Sequence, residues 1–219
     1  MQVTQRRFGL SGFGLKWIAM ISMLIDHVGM ALYPQYLFLR IIGRLAFPIY
    51  CFLLVEGAVH TSHKKQYLGR LFLFALLSEI PFNLLVSGRL FYSGSQNVFF
   101  TLLLGLLAVF ALERWRASGY GTVLSLLLVL VAWFARTDYG GGGVVIILLL
   151  YLFRQQKLLR TVSFGVATVL LYGGLQNYAI LSMGPVLCYN GKRGPRVKYF
   201  FYVFYPAHLL ALYWLKNFI

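Results

Sequence analysis

Four side chains sit in apolar surroundings where a charge or a titratable group is expensive: Asp26, His27, Glu79 and His208. At bilayer depth such a residue costs several kcal/mol, so it persists where it performs a task. Lys16 precedes His27 by eleven positions, and at 100° per residue the two return to nearly the same helix face, ~16 Å apart along the axis. That face can line a path from a headgroup-level cation to an imidazole near mid-membrane. A neutral imidazole in such a place suits proton handling or ligand binding. Asp26 is turned about 100° away from His27, so the two need not pair.

Arg40 and Arg44 lie one helical turn apart and present two guanidinium groups on one stripe, which in hydrocarbon must face protein or water. They can pair with Asp26 or Glu79, or bind an anionic or carbonyl-bearing ligand. Glu56 lies near the end of the same segment, and Glu79 sits two residues before Pro81. A carboxylate so placed serves as a base or as half of an ion pair. His208 follows Pro206, with Tyr202 and Tyr205 just before it, and adds a second intramembrane imidazole. His60 and His63 fall in a basic connector and are expected to be solvated. No HExxH or other metal-ligand spacing is present, so no metal is expected.

The elements that must carry these residues are helices. Of 219 residues, 60% are hydrophobic and 11% charged, which argues for a polytopic all-α membrane protein forming a single integral domain. Nine spans are predicted, at about 15–33, 37–59, 68–86, 97–112, 121–135, 140–153, 159–175, 176–189 and 199–215. The eighth is short and interrupted by Gly184 and Pro185, which predicts a half-span or a broken helix. Gly140 to Gly143 read as a flexible re-entry into the sixth span, because no P-loop Lys-Ser or Lys-Thr follows them. Cys51 and Cys188 read as buried thiols.

The net charge of +15 would suggest nucleic acid in a soluble protein, but here the cations fall between apolar runs. With the N-terminus inside, fifteen of the 20 Lys and Arg collect on one side, which supports an N-in, C-out topology and no nucleic-acid partner. The expected location is a bacterial inner membrane, with the lipid bilayer as surroundings.

The runs LKWIAMISMLIDHVG, LRIIGRLAFPIYCFLLVEG, LFALLSEIPFNL, NVFFTLLLG, YNGKRG and KYFFYVFYPAHLL resemble the TraX family, whose namesake acetylates the N-terminal residue of conjugative pilin. The Lys16 to His27 spacing and the arginine pair in the next helix are similar to those of the wider group of transmembrane acyltransferases. The resemblance implies acetyl transfer from cytoplasmic acetyl-CoA to an acceptor amine, such as the N-terminus of a pilin-like peptide, or to a hydroxyl of a small molecule or glycan. It implies His27 as base or transient acetyl carrier, Asp26 or Glu79 as its orienting acid, and Arg40 and Arg44 at the oxyanion or an acceptor carboxylate. Lys16, Lys192, Arg193 and Arg196 then face the CoA phosphates, with Glu56, Tyr205 and His208 as further site residues. A proton-coupled transporter and a non-catalytic scaffold are the alternative readings of the same buried charges.

Overall fold

The computed structural model describes residues 9–195 and 197–218. Its described part is all-helical: α1 (Gly12–Ala31), α2 (Leu37–Gly43), α3 (Ala46–His60), α4 (Lys64–Ser87), α5 (Val98–Arg114), α6 (Tyr120–Phe134), α7 (Gly140–Leu152), α8 (Lys157–Leu171), a 3₁₀ helix (Gly174–Ser182), α9 (Met183–Leu187) and α10 (Lys198–Phe218). Gly12–Ala31, Leu37–His60 and Lys64–Ser87 are long and apolar enough to cross a membrane, and the chain is a membrane protein by these helices and its composition.

α6 packs as helices do in lipid, with small residues inward and large ones outward. In α6 the buried residues are Gly121, Ser125 and Ala132, whereas Leu126, Leu127 and Leu130 are exposed. Ser125 closes the α5 contact by donating to the Ala108 carbonyl at 3.0 Å. Connections alternate between two ends of the bundle. At one end Lys64 pairs with Glu113 at 2.7 Å, joining the start of α4 to the end of α5, and the α1 start meets the 190–194 loop. At the other end Gln96 exchanges backbone hydrogen bonds with Arg136 and Asp138, and Arg44 reaches Gln176.

The structure departs from the expectations drawn from the sequence in three places. The span expected over 37–59 is present as Leu37–His60, but its α-helical run is interrupted at Arg44 and Leu45, between α2 and α3. Pro48 cannot donate to the Arg44 carbonyl, and the Leu45 N–H tightens onto Ile42 at 3.2 Å, so the axis changes there. The eighth span, expected as a half-span or a broken helix, is a nine-residue 3₁₀ helix followed by five α-helical residues, which runs from the Gln176 end to the Leu10 end. Cys51 is buried but Cys188 is exposed, because α9 stops there and its carbonyl accepts from the Leu10 N–H at 2.9 Å.

The third departure is the tetraglycine, which is a packed helix start and not a flexible re-entry. Gly141, Gly142 and Gly143 are buried in α7, and a Cβ on Gly142 would overlap the Tyr172 hydroxyl, which donates to the Tyr139 carbonyl at 2.6 Å. Gly142→Ala is therefore expected to cost about 1–3 kcal/mol through that lost hydrogen bond. Gly184→Ala, which meets open space, should be neutral or stabilising. Thermal unfolding of both variants in detergent checks the contrast.

Candidate functional site

α1 and α10 lie side by side, and their contact brings together two histidines 181 positions apart: His27 Nδ1 and His208 Nε2 are 2.7 Å from each other. His208 is buried at 6% exposure, and its Nδ1 donates to the Phe204 carbonyl at 2.8 Å. The Phe204 ring stacks on His208 with centroids 4.7 Å apart. Tyr205, buried on the same helix, lies 6.3 Å from the His27 ring, centroid to centroid. The hydrogen-bond partner of His27 is thus another imidazole, and not Asp26 or Glu79, the acids that the family resemblance implies.

Asp26 faces the other way, into α2. Its carboxylate pairs with Arg44 Nη2 at 2.5 Å and with Arg40 Nη1 at 3.3 Å, and Arg40 also donates to the Asp26 carbonyl at 3.1 Å. Arg44 spends further donors on the Arg40 carbonyl and on Gln176 Oε1, both at 3.1 Å. α1 and α2 can approach this closely because Gly43 carries no Cβ to strike the Asp26 carboxylate. Glu79 lies apart, in the α4 to α5 contact, where it accepts from Asn97 Nδ2 at 2.6 Å. Asn97 in turn caps α5 by accepting from the Phe99 N–H at 3.1 Å. Glu79 therefore holds the end of a helix.

A cavity of about 570 Å³ opens at the end of the bundle where α1 begins and runs inward between α1, α3, α4, α5 and α10. Lys16, Arg70 and Arg193 line its mouth with His60 and His63, Glu56 is the carboxylate on its wall, and Tyr205, Met23 and Phe99 stand in its lining. The cavity thus contains Tyr205, the neighbour of both histidines. Lys16 sits over the Phe201 ring, 5.5 Å from its centroid. Arg193 is carried by a loop docked on the first turn of α1, where the Gly12 and Phe13 N–H groups donate to the Lys192 and Arg193 carbonyls at 2.7 and 3.0 Å. Those are N–H groups that a helix start leaves without intrahelical partners. The loop turns at Gly194, whose φ of +73° and contact with Phe13 explain a glycine there.

Among the residues expected at the CoA phosphates, Lys16 and Arg193 line the cavity and Lys192 is exposed beside it, while Arg196 lies outside the described residues. Among the described residues no cluster of three His, Cys, Asp or Glu side chains has metal-binding geometry.

The profile of the TraX protein family matches residues 11–216. The chain belongs to the TraX family. It is 32% identical over 98% of its length, and 99% of the relative's, to the probable fimbrial assembly protein FimC, serogroup H1, of Dichelobacter nodosus. A shorter match, 55% identical over 38 residues, covers 17% of this chain and 15% of the uncharacterized protein RP591 of Rickettsia prowazekii. No solved structure matches.

The TraX-like runs of the sequence build this site together. LKWIAMISMLIDHVG supplies Lys16, Asp26 and His27, LRIIGRLAFPIYCFLLVEG supplies Arg40, Arg44 and Glu56, YNGKRG carries Arg193, and KYFFYVFYPAHLL supplies Tyr205 and His208. Arg70, His60 and His63 were not expected at a site, yet they line the cavity. Arg70 did carry a signal, since it is a lone cation inside the otherwise apolar run that follows Lys64 and Lys65.

Proposed function

We propose that this TraX-family protein is an acetyltransferase of the bacterial inner membrane, crossing it nine times with the N-terminus inside. It moves the acetyl group of acetyl-CoA to an acceptor amine, such as the N-terminus of a pilin-like peptide, or to a hydroxyl. The observation that carries this reading is the cavity that joins a cationic mouth to the neighbourhood of the His27 and His208 pair. A nucleotide with three phosphate groups fits a mouth bearing Lys16, Arg70 and Arg193, and charge-assisted hydrogen bonds from such groups are the strong ones. The pantetheine arm then follows the α1 face inward from Lys16 toward His27.

At the inner end His27 takes the acceptor proton as the acceptor nitrogen or oxygen bonds to the thioester carbon. The carbon–sulfur bond breaks, and the same proton passes from His27 to the departing thiolate, giving free CoA and the acetylated acceptor. Arg40 and Arg44, paired with Asp26 next to His27, are the cations that would favour the transient oxyanion.

Equilibrium binding of CoA to the purified protein in nanodiscs tests the reading. CoA should bind and raise the melting temperature, and Arg193→Glu or Lys16→Glu should weaken that binding by about tenfold or more, the loss expected for reversing one close charge. CoA that neither binds nor stabilises the wild-type protein overturns it.

A further inference from the structure

The hydrogen bonds around His208 specify more than proximity. The Phe204 carbonyl can only accept, so the Nδ1 that meets it at 2.8 Å carries a hydrogen. A neutral His208 then presents a bare Nε2. That Nε2 lies 2.7 Å from His27 Nδ1, so His27 must supply the hydrogen between them. His27 consequently carries its own hydrogen on Nδ1 and leaves Nε2 with a lone pair. The two ring planes differ by 15° with centroids 5.0 Å apart, which at this N···N separation places the rings edge to edge. The shared hydrogen therefore points along the lone pair that receives it. Among the described residues His27 Nε2 has no hydrogen-bond partner.

We infer that His208 is a positioning residue that locks His27 in the Nδ1–H tautomer and shares the positive charge when His27 Nε2 accepts a proton. The inference rests on the acetyl-transfer reading for its consequence, but its physical content is the protonation pattern of the pair. When His27 Nε2 takes the acceptor proton, the hydrogen already on Nδ1 can move toward His208 Nε2. It goes no further, because His208 Nδ1 is bound to a backbone carbonyl that cannot carry a proton onward. The pair therefore holds one added proton and returns it through His27 Nε2 to the thiolate. This is a closed reservoir with no exit to the bulk. Its single charge lies beside Tyr205 on α10, while Asp26, next to His27 on α1, is paired with the Arg40 and Arg44 guanidinium groups. Doubly protonating the pair would set two N–H groups against each other at 2.7 Å.

Protein labelled with ¹⁵N in its histidine side chains and held in nanodiscs reads the tautomer through two-bond proton–nitrogen correlations. In the wild type the His27 spectrum should show a protonated Nδ1 and a bare Nε2. His208→Phe keeps a ring to stack on Phe204 but offers no acceptor, so His27 should revert to the Nε2–H form that free imidazole prefers. Its kcat should fall by about 10²-fold, the lower range for losing a positioned base, with KM for acetyl-CoA unchanged within about twofold. His208→Gln, whose side-chain carbonyl oxygen can accept from Nδ1, should restore the Nδ1–H tautomer and only part of kcat, since an amide cannot take up the proton. His208→Asn, too short to reach His27, serves as the second acceptor-less variant should His208→Phe fail to fold. An Nε2–H tautomer in the wild type, or an unchanged Nδ1–H tautomer in the acceptor-less variants, overturns the inference. The expected tautomer pattern in a protein that transfers no acetyl group would support the pair and count against the acetyl-transfer reading alone.

Discussion

His27→Gln is expected to lower acetyl transfer by about 10²–10⁴-fold while leaving CoA binding intact. The cavity wall is made by Lys16, Met23 and other residues of α1, α3, α4, α5 and α10, and His27 is not among them. Loss of His27 therefore removes a group that acts on the acceptor proton and leaves the donor's contacts in place. In kinetic terms kcat and kcat/KM should fall together and KM for acetyl-CoA should hold, the signature of an interaction made only in the transition state. Gln is a stringent replacement because it keeps a polar side chain of similar length between α1 and α10. What it lacks is a nitrogen lone pair basic enough to take a proton. Labelled acetyl-CoA supplied with an amine acceptor measures the effect, and full turnover by His27→Gln would remove His27 from the reaction.

That assignment was partly legible in the sequence, because helical periodicity alone puts Lys16 and His27 on one face and turns Asp26 away. In the structure Lys16 lines the cavity and Asp26 faces α2, whereas His27 faces α10 and is not part of the cavity lining. The partner of His27 was not legible. Local periodicity says nothing about which helix comes alongside, and His208 is 181 residues away. His208 was a candidate only for its chemistry and depth.

Glu79 shows the opposite failure. An intramembrane carboxylate draws attention as a base, yet its need for partners is met by the Asn97 side chain at 2.6 Å, a neutral donor that reads as an ordinary helix cap. The glycines fail for a third reason. In water a run of glycine signals a flexible chain, whereas between lipid-embedded helices the same residues let neighbours such as Tyr172 and Thr101 come close.

Asp26→Asn is expected to destabilise the protein by about 3–5 kcal/mol, the cost of breaking a buried ion pair by removing one partner. The Asp26, Arg44 and Arg40 side chains are only 12%, 13% and 23% exposed, so solvent does little to screen what the substitution leaves behind. Asparagine keeps the shape that fits against Gly43 and avoids a cavity, which assigns the loss to charge. Two guanidinium groups would then face each other without a carboxylate between them. Arg44→Met should be nearly as damaging, since it strands Asp26 and also releases the Arg40 carbonyl and Gln176. Arg40→Gln should cost less, because Arg40 is the more exposed arginine and its ion pair is longer. If the charge is the cause, combining Asp26→Asn with Arg44→Met should cost less than the sum of the two single changes. Unfolding in mixed micelles reads all four variants, and an Asp26→Asn protein as stable as the wild type would exclude the triad as the clamp between α1 and α2. Because the triad bridges α1, α2 and the 3₁₀ helix just beyond His27, its loss should also loosen the α1 position on which the 2.7 Å contact to His208 depends. Stability and acetyl transfer are therefore expected to fall together in Asp26→Asn, whereas His27→Gln should lower transfer alone.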